Sequence, residues 1–272
     1  MTDESLSSRR LPLLDHGYVS LVESWGSDER IIEAARMSTQ KGFEGWGVEQ
    51  TCTNCIGSGR EPGFGPNHNC RSCGGRGVRI EQPGDEKLLR YLWTNQHSTP
   101  FELAGAVFEI QAPIFVFREW HRHRTQSFNE ASARYSPLPD LNYVPTVERL
   151  LSGGGHLTKQ AASAAGAPKL DELGAKCWQS MLDEQYANAQ RVYEVALENG
   201  VPKELARLIL PVGRYSRMRA SANLRNWLGF LTLRLAPQAQ WEIRQYAEAV
   251  RGLLAPLFPR TLALFDEGRS ER

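Results

Sequence analysis

The sequence predicts an α+β fold in which helix is the majority element. Apolar residues recur at helical spacing in several segments, and one central segment alternates in the manner of a strand. Apolar residues make up 41% of the 272 positions, enough to bury a real core. This length suits one large domain or two small ones. We expect a single domain over 1–272, interrupted by a cysteine-rich insert at 42–84.

In the first half of the chain, residues 28–38 start with acidic side chains and continue with apolar residues at helical spacing, which predicts a helix. Residues 42–84 shift to Gly, Cys, Pro and Asn and lack apolar periodicity. A helix with an acidic first turn is predicted over 85–96. Alternation over 104–111 then predicts a strand, and Pro113 opens a helix that we expect to reach His121.

The second half begins with a Gly/Ala/Ser-rich stretch, residues 152–169, which is typical of a mobile surface connection. Helical spacing and end signals predict most of the elements in the rest of the chain. These elements are a long helix over 175–198, a short helix from Pro202 to Leu208, an extended segment over 214–222, a helix from the cap residue Asn223 to Arg234, and a helix starting at Pro237.

Composition and charge narrow the class of protein. The net charge is +1, so no sequence-wide basic excess favours duplex DNA. No apolar run approaches the roughly 20 residues of a membrane span, and the first residues lack the apolar core of a signal peptide. We therefore expect a cytoplasmic protein that binds neither nucleic acid nor membrane, with its five cysteines reduced.

The cysteine-rich insert contains an internal repeat. CTNCIGSG from Cys52 and CRSCGGRG from Cys70 both fit C-x-x-C-x-G-x-G, 18 residues apart. Structural zinc takes four tetrahedral soft ligands, which predicts a zinc-ribbon-like site on Cys52, Cys55, Cys70 and Cys73. The repeat resembles the zinc repeats of a class of co-chaperones. Reduced thiols in a flexible loop and an iron–sulfur cluster are the alternatives. Four cysteines leave no open position, so such a site is structural rather than catalytic.

Residues 118–135, REWHRHRTQSFNEASARY, form an arginine-rich segment. Guanidinium groups beside short hydroxyl and amide donors suit a phosphate and a planar polar ring. The residue types alone also allow an exposed basic loop without a ligand. With Phe128 and Tyr135 as stacking rings, they allow a zinc-ribbon protein that binds nucleic acid.

A family resemblance favours the site for a phosphate and a planar ring over these alternatives. Arg122-His123-Arg124, seven residues and then Ser132 resemble the RHR-x7-S signature of flavin-dependent thymidylate synthases. The similarity continues in HSTPFE from His97, APIFVFREW from Ala112, ELARLILP from Glu204, and FLTLR with AQWEIRQYA after Phe230. It implies that family's helix-rich fold with a central antiparallel sheet, and a homotetramer. It also implies C5-methylation of dUMP, with methylenetetrahydrofolate as carbon donor and NADPH-reduced FAD as hydride source.

The resemblance also implies roles for individual residues. Arg234 is the expected catalytic residue, stabilising negative charge on the pyrimidine. The expected nucleotide contacts are Glu119, Arg122, Glu130, Ala131, Ser132, Ala133, Arg134, Arg207 and Arg234. The expected flavin contacts are His97, Thr99, Arg122, His123, Arg124, Glu130, Asn223 and Arg225. We expect no covalent nucleophile: Ser132 is taken as a phosphate ligand and Cys177 as a packed thiol.

Three departures from the family pattern lie near the expected ligands, and one of them is Ser98, which replaces the usual Glu after His97. Glu119 stands where the family usually has Gln, and an acid there can accept a hydrogen bond from a ribose hydroxyl. This motivates the hypothesis that UMP is a substrate, as in one branch of the family. Gly229 stands where the family commonly has Asn, which removes one flavin contact. A further alternative is a degenerate member of the family that binds the nucleotide but catalyses no reaction, and Gly229 is its only support.

Overall fold

The computed structural model describes residues 10–81, 84–152 and 169–270. The predicted connection at 152–169 lies outside these residues except for its two end positions. The strands are β1 (Arg10–Leu13), β2 (Gly17–Trp25), β3 (Val48–Thr51), β4 (Val78–Glu81), β5 (Gly105–Pro113), β6 (Ser127–Glu130) and β7 (Tyr215–Asn223). The helices are α1 (Asp28–Ala35), α2 (Gly84–Thr94), α3 (Ile114–Trp120), α4 (Val147–Ser152), α5 (Glu172–Glu198), α6 (Lys203–Ala206), α7 (Leu224–Arg234), α8 (Trp241–Leu254) and α9 (Pro259–Ser270). Short 3-10 turns cover Met37–Thr39, Thr99–Leu103 and Arg207–Ile209.

The chain divides into two compact units. The first joins the segment up to Trp25 with Gly105–Leu257, and the second joins Gly26–Ala104 with the segment from Phe258. The arginine-rich segment belongs to the first unit and the whole cysteine-rich insert to the second. That one domain spans the chain stays a prediction.

The first unit contains an antiparallel sheet with strand order β1-β2-β5-β7-β6 in the described residues. The sheet therefore has the central antiparallel form that the resemblance implied. One face of β5 is buried through Ala106, Phe108 and Ile110. α7 packs against this face: the rings of Phe108 and Trp227 meet edge-on at 5.0 Å. This apolar layer fixes where α7 lies against the sheet.

The second unit contains α1, α2, α9 and the insert. Ile31, Ile32 and Leu89 are fully buried, and Trp93 contacts both Phe101 and Phe265 edge-on. Strands β3 and β4 form a two-stranded hairpin that closes the base of the insert. Among the described helices, none is long and apolar enough to cross a membrane.

Most predicted elements are confirmed, and two predictions need correction. The helix expected to start at Pro237 begins at Trp241, because Ala239 N–H bonds to Ala236 O at 2.9 Å and closes a turn around the proline. Cys177 is exposed rather than packed, because α5 buries only Ala175 and Tyr193. The sequence patterns assigned no element to five segments of the first unit or the insert that form strands, β1, β2, β3, β4 and β6, or to the helices α4 and α9.

Candidate functional site

The arginine-rich segment starts with a helix that ends in a closed turn. Val116, Phe117 and Trp120 bury one side of α3. After Trp120 the chain turns back, with Gln126 N–H donating to His123 O at 3.2 Å. The Trp120 indole N–H donates to the Gln126 side-chain oxygen at 2.9 Å inside the protein. This buried bond fixes the turn that carries the RHR motif.

The turn runs along α7 and contacts it at two points. Near the start of α7, the Asn226 amide donates to Thr125 O at 3.0 Å. Near its end, Arg234 donates to His123 and Glu119. The fold thus joins the RHR motif to the C-terminal arginine that the resemblance singled out, about 110 residues apart in sequence.

Arg234 is held by three hydrogen bonds. Its Nε donates to His123 Nε2, its Nη1 to Glu119 Oε2 and its Nη2 to the Glu119 carbonyl, each at 2.8 Å. The Arg234 side chain is 14% exposed, whereas that of Glu119 is 44% exposed. The guanidinium is therefore mostly desolvated and oriented by neighbours that come from α3 and the turn after it.

His123 is neutral in this arrangement. Burial, and then the charge of Arg234, lower the pKa of its imidazole to about 4. Because Nε2 accepts from Arg234, the single ring proton of the neutral form lies on Nδ1. His123 therefore offers one N–H donor to a ligand at neutral pH.

A buried aromatic cluster packs against the His123–Arg234 pair. The His123 ring meets Phe230 edge-on at 4.9 Å, and Phe230 stacks on Trp120 at 4.6 Å. Trp120 and Phe230 are fully buried. Because Phe230 lies one helical turn before Arg234 on α7, the same core contact positions both members of the pair.

The expected phosphate loop is a tight turn after β6. Glu130 pairs with Met218 of β7, and the Ala131 N–H donates to Arg217 O at 2.7 Å. Ser132 Oγ accepts from the Arg134 N–H at 3.3 Å, and Ala133 is buried. Ser132 Oγ is thus bonded to the backbone of its own turn.

Arg134 and Arg207 meet at Glu204. The Arg134 Nε lies 3.2 Å from the Glu204 carboxylate, and the Arg207 Nε donates to the Glu204 carbonyl at 3.4 Å. Both Arg134 and Arg207 are exposed, as are Arg122 and Arg124 on the RHR turn. These guanidinium groups are open to an anionic ligand.

The residues at the start of α7 have mixed roles. Asn223 caps the helix, since its side chain accepts from the Asn226 N–H at 3.0 Å. Arg225 is exposed. Asn223 and Arg234 lie at opposite ends of α7, roughly 16 Å apart at the rise of an α-helix. Between them, Gly229 is exposed, and an added Cβ would meet no atom within 4 Å.

His97 and Thr99 belong to the second unit. Both are exposed at the end of α2 and the start of the following 3-10 turn. The His97 N–H donates to Leu92 O at 2.9 Å, and Tyr91 meets the His97 ring edge-on at 5.5 Å. Tyr91 lies on the exposed surface of α2, and nothing in the sequence around it indicates this contact with His97.

The four repeat cysteines come together in the insert. They are buried, and their sulfur atoms all lie within 4.8 Å of one another. The Cys52 and Cys70 sulfurs are 4.0 Å apart and those of Cys55 and Cys73 are 3.7 Å apart. Tetrahedral zinc–thiolate bonds give a sulfur–sulfur distance of about 3.8 Å. The donor set therefore fits a zinc ion.

The two copies of the repeat hold each other. The Cys52 N–H donates to Gly77 O at 2.8 Å, and the Cys70 N–H donates to Gly59 O at 2.9 Å. Gly59 and Gly77 have φ angles of +71° and +76°, and a Cβ on either would meet a backbone oxygen of the other copy at 2.3 Å or less. Only glycine fits these positions.

Hydrogen-bond donors also reach the sulfurs. The Asn54 amide donates to Cys70 Sγ at 3.3 Å, and the Gly77 N–H donates to Cys73 Sγ at the same distance. The Asn54 contact lowers the pKa of the Cys70 thiol to about 7. Such donors stabilise thiolates, the form that binds metal.

Comparison with known proteins gives consistent matches over nearly the whole chain. The model of the family described as thymidylate synthase complementing protein matches residues 20–260. A flavin-dependent thymidylate synthase of Thermus thermophilus is 35% identical over 257 residues, which cover 94% of this chain and 78% of the relative. A flavin-dependent thymidylate synthase of Rickettsia prowazekii is 31% identical, covering 98% of this chain and 81% of the relative.

A similar solved structure is the UMP/dUMP methylase PolB from Streptomyces cacaoi bound with 5-Br dUMP. The two chains superpose with a TM-score of 0.69 at 29% identity, covering 94% of this chain and 97% of PolB. A second structure of the same methylase is bound with 5-Br UMP and gives the same TM-score at 30% identity.

Proposed function

The chain belongs to the thymidylate synthase complementing protein family, and on this premise we propose that it is a flavin-dependent enzyme that methylates C5 of dUMP. Methylenetetrahydrofolate is the proposed carbon donor. When bound, FAD supplies the hydride that reduces the transferred carbon to methyl, and NADPH restores the reduced flavin.

The observation that carries the proposal is the fixed Arg234 guanidinium. The uracil C5 is a weak nucleophile, and it strengthens when negative charge on the ring is stabilised. A preorganised, poorly solvated cation provides such stabilisation without reorganisation during the reaction. Arg234, 14% exposed and held by three hydrogen bonds, has these properties.

Other arginines suit the nucleotide phosphate. Arg122 on the RHR turn and Arg134 and Arg207 around Glu204 are exposed forks that match a phosphate in geometry and charge. The turn at Ser132 adds a hydroxyl beside them. We assign Glu130, Ala131, Ser132 and Ala133 to the loop that surrounds phosphate and sugar.

The flavin contacts are supported by donor chemistry. FAD carries a diphosphate, and the exposed Arg124 and Arg225 are suitable partners for it. The Nδ1–H of neutral His123 is a donor that can face the flavin ring without adding a charge. His97 and Thr99 complete the proposed flavin set, and Asn223 serves it in addition to capping α7.

A specific observation keeps UMP as a second candidate substrate. Glu119 Oε2 accepts from Arg234, so within the described residues Oε1 is the carboxylate oxygen that no hydrogen bond engages. An oxygen of this kind can accept a hydrogen bond from the ribose 2′-hydroxyl that deoxyribose lacks. In addition, PolB, described as a UMP/dUMP methylase, is a structural neighbour.

Anaerobic turnover tests the proposal directly. Purified protein is incubated with dUMP or UMP, methylenetetrahydrofolate and NADPH, and the product is followed by mass. We expect yellow protein with flavin absorbance and a product heavier than dUMP by the mass of one CH₂ group. Colourless protein that binds RNA with steep salt dependence and turns over neither nucleotide would contradict it.

We propose that Cys52, Cys55, Cys70 and Cys73 hold one structural zinc ion. Support comes from four buried sulfurs at distances that suit tetrahedral coordination and from amide donors to two of them. Elemental analysis of the purified protein tests this, with one zinc per chain expected. Iron with a charge-transfer absorbance would indicate a cluster instead.

We also propose a homotetramer located in the cytoplasm, where thiols stay reduced. Large apolar side chains on α5 and the segment after it are exposed, which is unusual for a monomer surface. The residues are Leu173 (71% exposed), Trp178 (44%), Met181 (64%), Val195 (50%) and Leu208 (80%). Light scattering after size exclusion tests this, and a stable monomer that retains FAD would contradict it.

A further inference from the structure

The contacts of Arg234 leave a defined part of its guanidinium for a ligand. A guanidinium has five N–H groups. Three are engaged, by His123 Nε2, Glu119 Oε2 and the Glu119 carbonyl. Among the residues that the structure describes, none accepts from the second N–H of Nη1 or from that of Nη2. Two of the three acceptors belong to Glu119, so this single residue fixes both terminal nitrogens.

Glu119 is itself well anchored. It lies on α3, one residue before the fully buried Trp120. Its carbonyl also receives the Arg122 N–H at 3.4 Å at the start of the turn. The backbone acceptor is therefore part of the helix end and does not depend on the side chain. The side-chain acceptor is the part that the amino-acid identity at position 119 controls.

We propose that Glu119 is a positioning residue: its side-chain oxygen holds the Arg234 guanidinium so that one N–H on each terminal nitrogen faces the pyrimidine. This inference rests on the proposed function and names a residue through which Arg234 acts. The essential property is an acceptor oxygen at this point, not the negative charge. An unheld arginine samples several rotamers, and a displacement of about 1 Å is enough to cost on the order of 100-fold in rate.

Two substitutions separate the acceptor from the charge. Glu119→Gln keeps an acceptor oxygen, and Glu119→Ala removes it. With dUMP as substrate, we expect kcat of Glu119→Ala to fall about 10- to 100-fold with KM changed little, because orientation matters most in the transition state. We expect kcat of Glu119→Gln to stay within about threefold of the parent protein.

Glu109→Gln is the matched control. Glu109 is another carboxylate of the first unit that accepts from an arginine, here from the Nε of Arg219 at 3.3 Å, and it is assigned no ligand. We expect its kcat and KM to equal those of the parent protein. Melting temperatures of all variants show whether any loss reflects unfolding.

The outcomes distinguish this inference from the proposed function. If Glu119→Ala turns over dUMP at the parent rate, or if Glu119→Gln loses as much as Glu119→Ala, the positioning role is wrong. If the parent protein itself does not turn over dUMP, the proposed function fails. In that case crystal structures still test the positioning: the guanidinium keeps its place in Glu119→Gln and moves in Glu119→Ala, and an unmoved guanidinium in Glu119→Ala overturns it.

Discussion

The RHR turn and the cysteine-rich insert are both short polar segments that cannot bury a core of their own, yet they are held in different ways. The RHR turn rests on a large apolar layer in which Trp120, Phe230 and Trp227 are fully buried. The buried cluster within the insert consists of four cysteines. Where apolar packing holds a segment in place, its polar side chains remain free to bind ligands. Where cysteine side chains hold a segment in place, those side chains are not available to bind other ligands.

Removal of the metal is expected to unfold the insert and to leave the first unit folded. Structural zinc contributes apparent binding free energies of about 10–16 kcal/mol in small zinc domains. We expect Cys52→Ser combined with Cys70→Ser to lose zinc and to abolish hydrogen-exchange protection over 48–81. Protection of β5 and β7 should persist.

Cys177→Ser is the control for that experiment, because Cys177 is an exposed cysteine on α5. It should keep one zinc per chain and normal protection. Persistent protection of the insert without metal would mean that the insert folds unaided, and the contrast between the two regions would be lost.

Replacement of Arg234 is expected to lower the catalytic rate and to leave the fold intact. Removing one preorganised electrostatic group typically costs 10²- to 10³-fold in rate, about 3–4 kcal/mol. We expect Arg234→Gln to lower kcat/KM for dUMP by about this factor, measured by single-turnover kinetics. Arg251→Gln, a substitution on α8 of the same unit, should leave kcat/KM for dUMP unchanged. An equal loss in both variants would point to a general effect of arginine removal.

Acid should weaken the RHR turn through His123. The folded-state pKa of about 4 lies below the ordinary value of 6.5, so the unfolded chain binds the proton more readily. The free energy of unfolding therefore falls as pH drops from 6.5 towards 4. Allowing for partial solvation, we expect a loss of roughly 1–2 kcal/mol.

Urea unfolding at pH 7.5 and pH 4.5 measures this loss of unfolding free energy. His123→Gln is the reference protein, in which the contribution of His123 to the loss is absent. Other titrating groups affect both proteins alike, so only the difference between them counts. Equal losses in the two proteins would show that His123 is already protonated, or solvated, in the folded state.

The smallest expected effect concerns Gly229, where a side chain would meet open space. Gly229→Ala should raise the free energy of unfolding by about 0.5–1 kcal/mol, because glycine is unfavourable inside a helix. Gly229→Asn adds an amide at the same point. We expect it to bind FAD several-fold more tightly than Gly229→Ala in equilibrium titrations. Equal affinities would remove Gly229 from the flavin site.

Local patterns in the sequence predicted most of the helices. Helical spacing with a cap predicted α7 from Asn223 to Arg234, and the structure has the same bounds because the cap and the periodicity act within a few residues. β6 escaped prediction because its short, polar sequence forms a strand only through pairing with β7. The Glu119–Arg234 pair escaped for the same reason: its members are 115 positions apart.

The sequence by itself determined most of the helices, the family and the four-cysteine repeat, since each is encoded in spacing along the chain. Tertiary structure decided which charged groups meet. It brought Arg234 to His123 and Glu119, and it left Arg122 and Arg124 exposed. The reason is physical: burial in the Trp120–Phe230 layer sets how each helix is rotated, and that rotation selects the partner of each arginine.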